Sequence, residues 1–150
     1  MGVVTLLEAD IQHDPPQDEE IERLFSHIRG QAEELCKAVC PQGAKKVIGV
    51  GGTATQLAML FLKLPRYNPK QVQGYRMDVE QLENLFWLMA RLPLEQRKKM
   101  AGMDPQRADV ILPGCAILIS VLKQLGAQAV WASDSDGLDG YLMQKMETID

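Results

Sequence analysis

The residues best suited to chemistry form a glycine-rich run that directly follows a short β-branched segment. Glycine lacks a Cβ and adopts positive φ, so a glycine turn lets the main chain come close to an anion. The helical pattern that follows would direct free N–H groups and a positive dipole end toward that anion. The run therefore predicts a phosphate-binding turn, and the alternative is a tight turn whose glycines only permit close helix–strand packing. The candidate phosphate-binding residues are Gly51, Gly52, Thr53, Ala54 and Thr55, after the segment Val47-Ile48-Gly49-Val50.

A second candidate for binding phosphate is Arg107, in the segment Arg107-Ala108-Asp109 that precedes a long apolar run. A guanidinium can hold a phosphate through two parallel hydrogen bonds. The alternative is that Arg107 or Asp109 forms an ion pair or a cap that fixes the start of the following helix. The two residues are two positions apart, so they would not face the same way on a helix.

Acidic residues cluster after the last apolar segment of the chain, where Asp134 and Asp136 follow Ser133. Carboxylates at the end of a strand, at the mouth of an α/β sheet, can hold Mg²⁺ directly or through water. They can equally cap the helix that follows. Asp136 and Asp139 are also candidate general bases, although no partner is apparent for either one.

The remaining charged residues carry weaker signals. His13 and His27 are predicted to face solvent without a catalytic role. Lys45, Lys46 and the cluster Arg97-Lys98-Lys99 read as solvated charge. The alternative for the cluster is that it guides a long polyanion toward the site.

Composition sets limits on the class of protein. The chain has 150 residues and a net charge of −4, which fits one domain and argues against general binding to nucleic acid or anionic membranes. The longest apolar stretch, residues 110–122, is too short to span a bilayer. Three cysteines without a secretory signal indicate a reducing, cytoplasmic location. Cys36 and Cys40 read as buried free thiols more readily than as metal ligands.

The hydrophobic pattern predicts strands that alternate with helices. Strands are expected at residues 3–8, 45–50 and 129–132, and the second is expected to be central because it is almost entirely apolar. Such an alternation predicts an α/β fold with a small sheet covered by helices. Helices are expected at residues 19–39, 78–92, 94–100, 108–125 and 138–146. A further helix, which carries Leu57, Ala58, Phe61 and Leu62, is expected to follow the second strand and its glycine run and to stop before Pro65.

The helix over residues 108–125 is apolar almost all round, so it is expected to be central. Asp104 followed by Pro105 predicts its N-terminal cap, and a bend is expected at Pro113-Gly114. Residues 66–74 are expected to form a connector.

Four segments of the chain, in order and spacing, resemble motifs of the Ppx/GppA family of exopolyphosphatases and guanosine pentaphosphate phosphohydrolases. The likeness covers essentially the whole chain. One departure concerns the last motif, which often reads Gly-Leu-Arg-Glu-Gly in the family but lacks the arginine here. The segments are Gly2 to Glu8, Gly51-Gly52-Thr53-Ala54-Thr55, Arg107 to Gly114, and Ser133-Asp134 with Gly137-Leu138-Asp139-Gly140.

The resemblance implies a two-lobed, actin-like (ribonuclease H-like) fold, of which residues 1–150 form a single domain that resembles the second lobe. The family's first lobe carries an Asp-Leu-Gly-Gly-Gly-Ser phosphate loop and the catalytic glutamate, and neither is found in these residues. The resemblance places residues 2–8 in the strand that opens the second lobe. No catalytic residue is therefore assigned in this chain.

The activity implied by the resemblance is hydrolysis of terminal phosphoanhydride bonds in inorganic polyphosphate or guanosine pentaphosphate, with Mg²⁺ as the cofactor. This lobe would supply a phosphate-binding wall and be inactive alone. The alternative function is a non-catalytic module that binds phosphate or nucleotide, or that acts in assembly. A lobe without its partner would expose an apolar face, so self-association is also expected.

Overall fold

The computed structural model describes residues 2–135 and residue 141, and within them three strands are covered by helices. The strands are β1 (Val47–Val50), β2 (Arg76–Asp78) and β3 (Ala129–Ser133). The helices are α1 (Val3–Asp10), α2 (Asp18–Val39), α3 (Gly52–Leu62), α4 (Pro69–Val72), α5 (Val79–Ala90), α6 (Leu94–Arg97) and α7 (Ile111–Gln124). Apart from residue 141, the predicted helix over residues 138–146 lies outside the described residues.

The sheet has the strand order β1-β3-β2. β1 runs parallel to β3, with Val50 opposite Ser133, and β2 runs antiparallel to β3, with Met77 opposite Val130. The parallel pairing brings the carboxyl ends of β1 and β3 side by side. This edge is where an open α/β sheet places its ligand sites.

The prediction of a central second strand is wrong, because β1 lies at an edge of the described sheet. Its run of apolar residues is typical of a strand that is buried on both faces. In the structure α3 packs against β1, while Ile48 and Val50 are 58% and 55% exposed. The described residues therefore cover only one face of β1.

The prediction of a strand at residues 3–8 is also wrong, because these residues form helix α1. Val3, Val4 and Thr5 favour extended structure only weakly, and packing overrides such preferences. Leu6 and Asp10, one helical turn apart, are both buried, and α1 packs against α2 and α7. The third strand of the sheet is instead β2, which is too short and polar to show a strand pattern.

Helix α7 is the centre of the domain, as its composition predicts. It is packed against α1, α2, α3 and α5, and most of its residues are buried. It begins at Ile111, so Asp104 does not cap it. Proline removes an N–H donor and clashes with the carbonyl four residues before it, so a helix from residue 108 would be broken at Pro113. With the observed start, Pro113 falls in the first turn and marks the beginning of α7 rather than a bend.

Helices α2, α3 and α5 follow their predicted positions. α2 and α5 each begin with a capping box, formed by Gln17 with Glu20 and by Asp78 with Gln81. The predicted connector at residues 66–74 contains the short helix α4, and α6 is shorter than expected. No helix in the described part of the chain has the length and apolar character needed to cross a membrane.

The loop between α1 and α2 is held by two pairs of histidine and buried carboxylate. His13 Nδ1 lies 3.0 Å from Glu20, and His27 Nδ1 lies 3.1 Å from Asp10. Both imidazoles are about half exposed, as predicted, whereas the side chains of Glu20 and Asp10 are 4% and 8% exposed. These two contacts give the histidines a structural role that their positions in the sequence do not reveal.

We expect the stability of this fold to fall in acid through Glu20. Burial alone would raise the pKa of Glu20, but hydrogen bonds from the Gln17 N–H, the His13 ring and the Gln12 N–H outweigh burial and lower the pKa from 4.5 to about 2. A carboxylate with a depressed folded-state pKa stabilises the fold above its unfolded pKa, and this contribution is lost as the pH falls from about 4.5 toward 2.

Thermal unfolding measured between pH 7 and pH 2 checks this expectation. Glu20→Gln should flatten the decline in melting temperature over that window, and the exposed neighbour Glu19→Gln is the matched control. An unchanged pH profile in Glu20→Gln would contradict the assignment.

Candidate functional site

The glycine turn joins β1 to α3 and carries the backbone geometry that the sequence predicts. Gly51 has φ +88° and caps α3, a conformation that favours glycine. The first bond of the helix is donated by Thr55 N–H to Gly51 O at 3.2 Å. The N–H groups of Gly52, Thr53 and Ala54 therefore precede the helical hydrogen-bond ladder, as at any helix N-terminus. A Cβ added at Gly51 would meet nothing within 4 Å, so the space beside the turn is open.

The structure brings Arg107 onto this turn. A Cβ built on Gly52 would overlap the Arg107 guanidinium, which shows how closely the two residues approach. Arg107 Nε also lies 3.8 Å from a carboxylate oxygen of Asp104, and the side chains of Arg107 and Asp104 are 48% and 43% exposed. A half-exposed guanidinium beside open N–H groups can bind an anion without first losing a buried partner.

The side chains of Thr53 and Thr55 are engaged within the fold. A Cβ added at Gly114 would lie 2.8 Å from Thr53 Oγ1, so Thr53 packs against the first turn of α7. The Thr55 hydroxyl donates to Gly51 O and Gly52 O, each at 3.3 Å. Gly49 likewise permits contact between β1 and α3, because an added Cβ would lie 2.9 Å from Ala54 Cβ. The packing interpretation therefore holds for part of the run, and the groups left for an anion are the main-chain N–H groups and Arg107.

At the adjacent strand end, Asp134 is exposed and its N–H donates to Gln73 Oε1 at 2.6 Å. The Ser133 hydroxyl donates to Ser135 O at 3.3 Å. Asp136 and Asp139 lie outside the described residues. Among the described residues there is no group of three or more metal-binding side chains. Asp134 by itself does not form a Mg²⁺ site, so a metal site at Asp134 and Asp136 stays a prediction.

The prediction that Arg97 is solvated charge is wrong. Arg97 is 3% exposed and donates to three main-chain carbonyls, those of Met89, Leu92 and Ala108, at 2.9–3.1 Å. Burial lowers the pKa of its guanidinium. The sequence signal for this burial is the spacing of three residues between Leu94 and Arg97, which places both side chains on one face of α6. Arg97 thus ties the end of α5 to the segment that carries Arg107.

Gln56 is a second buried polar residue that sequence reasoning missed. It is 2% exposed, and its side chain donates to Gly102 O at 2.7 Å and accepts from Asp104 N–H at 3.3 Å. A polar residue four positions before Leu60, on the same face of the helix, is the signal that could have revealed it.

A cavity of about 650 Å³ opens beside the turn. Thr55 and Arg107 lie in its wall near the glycines, and Arg66 and Tyr67 line it as well. Its volume exceeds what a single phosphate needs, so the cavity has room for a larger ligand. The other lining residues are Gln56, Met59, Leu64, Pro65 and residues 100–105.

Comparison with known proteins identifies the family of this chain. The model of the Ppx/GppA phosphatase family matches residues 1–148. Exopolyphosphatase 2 of Mycobacterium tuberculosis is 27% identical over 147 residues, which is 95% of this chain and 46% of that protein. A bifunctional 3-dehydroquinate synthase/phosphatase of Fusobacterium nucleatum is 26% identical over 102 residues, which is 67% of this chain and 15% of that protein.

Comparison with solved structures leads to the same family. The crystal structure of the Aquifex aeolicus Ppx/GppA family member superposes with a TM-score of 0.90 at 28% identity, over 99% of this chain and 47% of that one. An exopolyphosphatase from Cytophaga hutchinsonii, 20% identical with a TM-score of 0.81, supports the fold alone. The predicted α/β fold, part of an actin-like structure, is confirmed. This chain spans about half the length of Exopolyphosphatase 2 and of these two solved chains. The chain belongs to the Ppx/GppA phosphatase family.

Proposed function

We propose that this chain is the phosphate-binding part of a hydrolase that removes terminal phosphates from inorganic polyphosphate or guanosine pentaphosphate. The observation that carries the proposal is the convergence of the Gly51-Gly52 turn with the Arg107 guanidinium at the carboxyl end of β1. Main-chain N–H groups, a helix dipole and a guanidinium together suit a phosphate oxyanion.

Phosphoryl transfer relies mainly on positioning the phosphate and stabilising its charge, which these groups can do. The carboxylate in the cavity wall, Asp104, faces Arg107 and is placed to orient that guanidinium rather than to activate water. We therefore propose that a carboxylate from a first lobe, outside residues 1–150, acts on the attacking water. Mg²⁺, expected from the family resemblance, would neutralise phosphate oxygens, and its ligands would include groups beyond Asp134.

The second candidate function is a module that binds phosphate or nucleotide without catalysis. Two observations support it. The turn offers main-chain N–H groups that suit an anion, and its acidic neighbour, Asp104, is paired with Arg107. Self-association through exposed apolar residues such as Ile48 and Val50 on the edge strand stays a prediction.

A titration of the ¹⁵N-labelled chain with tripolyphosphate, followed by NMR, tests the proposal. We expect the amide signals of Gly51 to Ala54 to shift, and we expect Arg107→Ala to weaken binding by about tenfold or more, because a charge-assisted hydrogen bond is lost. Arg91→Ala, at an exposed position after α5, is the matched control.

Phosphate release by the purified chain tests the proposal that catalysis depends on a carboxylate from another lobe. We expect the chain alone to release no phosphate from tripolyphosphate with Mg²⁺ present, as both candidates require. Robust release would overturn the assignment of catalysis to another lobe, and absence of any shift at the turn would overturn phosphate binding.

A further inference from the structure

We propose that Gln56 is a positioning residue that holds Arg107 on the glycine turn and so prepares the site for phosphate. The proposal rests on the phosphate-binding function proposed above. Gln56 lies on α3 one helical turn after Gly52, so it is on the same side of the helix as the residue that Arg107 contacts.

The two ends of the Gln56 amide bind the main chain on either side of Met103. Nε2 donates to Gly102 O at 2.7 Å, and Oε1 accepts from Asp104 N–H at 3.3 Å. Because Gln56 is 2% exposed, water does not substitute easily for either bond. One side chain thus attaches the segment that carries Arg107 to the helix that carries the turn.

Asp104, which Gln56 holds, makes two contacts with Arg107. Arg107 N–H donates to Asp104 O at 2.9 Å, and Arg107 Nε lies 3.8 Å from the Asp104 carboxylate. On the other side of Arg107, the buried Arg97 guanidinium donates to Ala108 O at 2.9 Å. Arg107 is therefore flanked by two main-chain positions that buried side chains hold in place.

The segment is also pressed closely onto α3. Gly102 has φ +89°, and an added Cβ would overlap Met59 O, so the main chains of the two elements almost touch there. Without the Gln56 bonds, Asp104 would lose its attachment to α3, and Arg107 would sample more orientations. An anion would then have to order the guanidinium on binding, which weakens affinity.

Gln56→Met removes both hydrogen bonds at similar volume, and a double-mutant cycle with Arg107→Ala tests the mechanism. Affinity for tripolyphosphate is measured on the full chain at a temperature where circular dichroism shows every variant folded. We expect Gln56→Met to weaken binding by about fivefold and to have no further effect in the Arg107→Ala background. Gln96→Met, at an exposed site on α6, should bind like the wild type.

The heteronuclear NOE of the Arg107 Nε–H group gives a readout that needs no ligand. We expect it to fall in Gln56→Met and to be unchanged in Gln96→Met. Gln56→Leu also removes both hydrogen bonds and serves as the second variant if the methionine variant does not fold.

An unchanged NOE in a folded Gln56 variant, or effects of Gln56→Met and Arg107→Ala that add fully, would overturn the positioning role. Failure of the proposed function looks different. If the wild-type chain does not bind tripolyphosphate, phosphate binding fails while the NOE still decides whether Gln56 orders Arg107.

Discussion

Replacing Arg97 by methionine is expected to lower the free energy of unfolding by about 3 kcal/mol. The guanidinium donates to Met89 O, Leu92 O and Ala108 O from a position that is 3% exposed. Methionine can fill part of the volume but donates no hydrogen bond, so the three carbonyls lose their shared donor. Met89 O keeps the bond from Leu92 N–H at 3.2 Å, and the loss falls mainly on Leu92 O and Ala108 O. Buried acceptors without a partner cost more than the bond itself contributes.

Urea unfolding of Arg97→Met against the wild type measures this effect. The matched control is Arg91→Met, which removes an exposed guanidinium from the same corner and should change stability by less than about 0.5 kcal/mol. Equal stabilities for the two variants would show that the buried hydrogen bonds of Arg97 contribute nothing net.

Gly52→Ala is expected to weaken tripolyphosphate binding by about tenfold while leaving the fold intact. The new methyl group would overlap the Arg107 guanidinium, whose three terminal atoms are the ones nearest to Gly52. The end of a flexible side chain can move away at little cost to stability, so the change displaces Arg107 from the turn. Losing a charge-assisted contact to the anion accounts for the expected loss of affinity.

Gly30→Ala is the matched control, because it adds the same methyl group to a helical glycine with nothing within 4 Å. It should stabilise the exposed middle of α2 by about 0.5–1 kcal/mol and leave phosphate affinity unchanged. Calorimetric titration and thermal unfolding of both variants supply the measurements. Wild-type affinity in Gly52→Ala would mean that the position of Arg107 on Gly52 is not needed for binding.

The sequence is sufficient to predict features that depend only on residues close to one another in the chain. Helical spacing predicts α2 and α5, and the apolar run after residue 108 predicts a central helix. The glycine turn is also local, since positive φ at Gly51 follows from a strand that must turn directly into α3. The family resemblance depends on the same short motifs, and the family model confirms it over residues 1–148.

Sequence patterns fail where burial is decided by segments far along the chain. Residues 3–8 carry a strand-like pattern, yet packing against α2 and α7 makes them a helix. β1 has the composition of a central strand but lies at an edge of the described sheet. Local preferences of this kind amount to tenths of a kcal/mol per residue, and the burial of one large side chain is worth several times as much.

The candidate site is also predicted in part from the sequence and decided in part by tertiary packing. The sequence by itself determined a turn whose main chain can approach an anion, since the glycines and the helix start are adjacent in the chain. Only the tertiary structure decided that Arg107 lies on Gly52, that Arg97 is buried and that Gln56 binds the segment between them. The reason is physical: a polar side chain finds its partners among carbonyls and N–H groups that folding brings within about 3 Å, and sequence spacing carries no information about that distance.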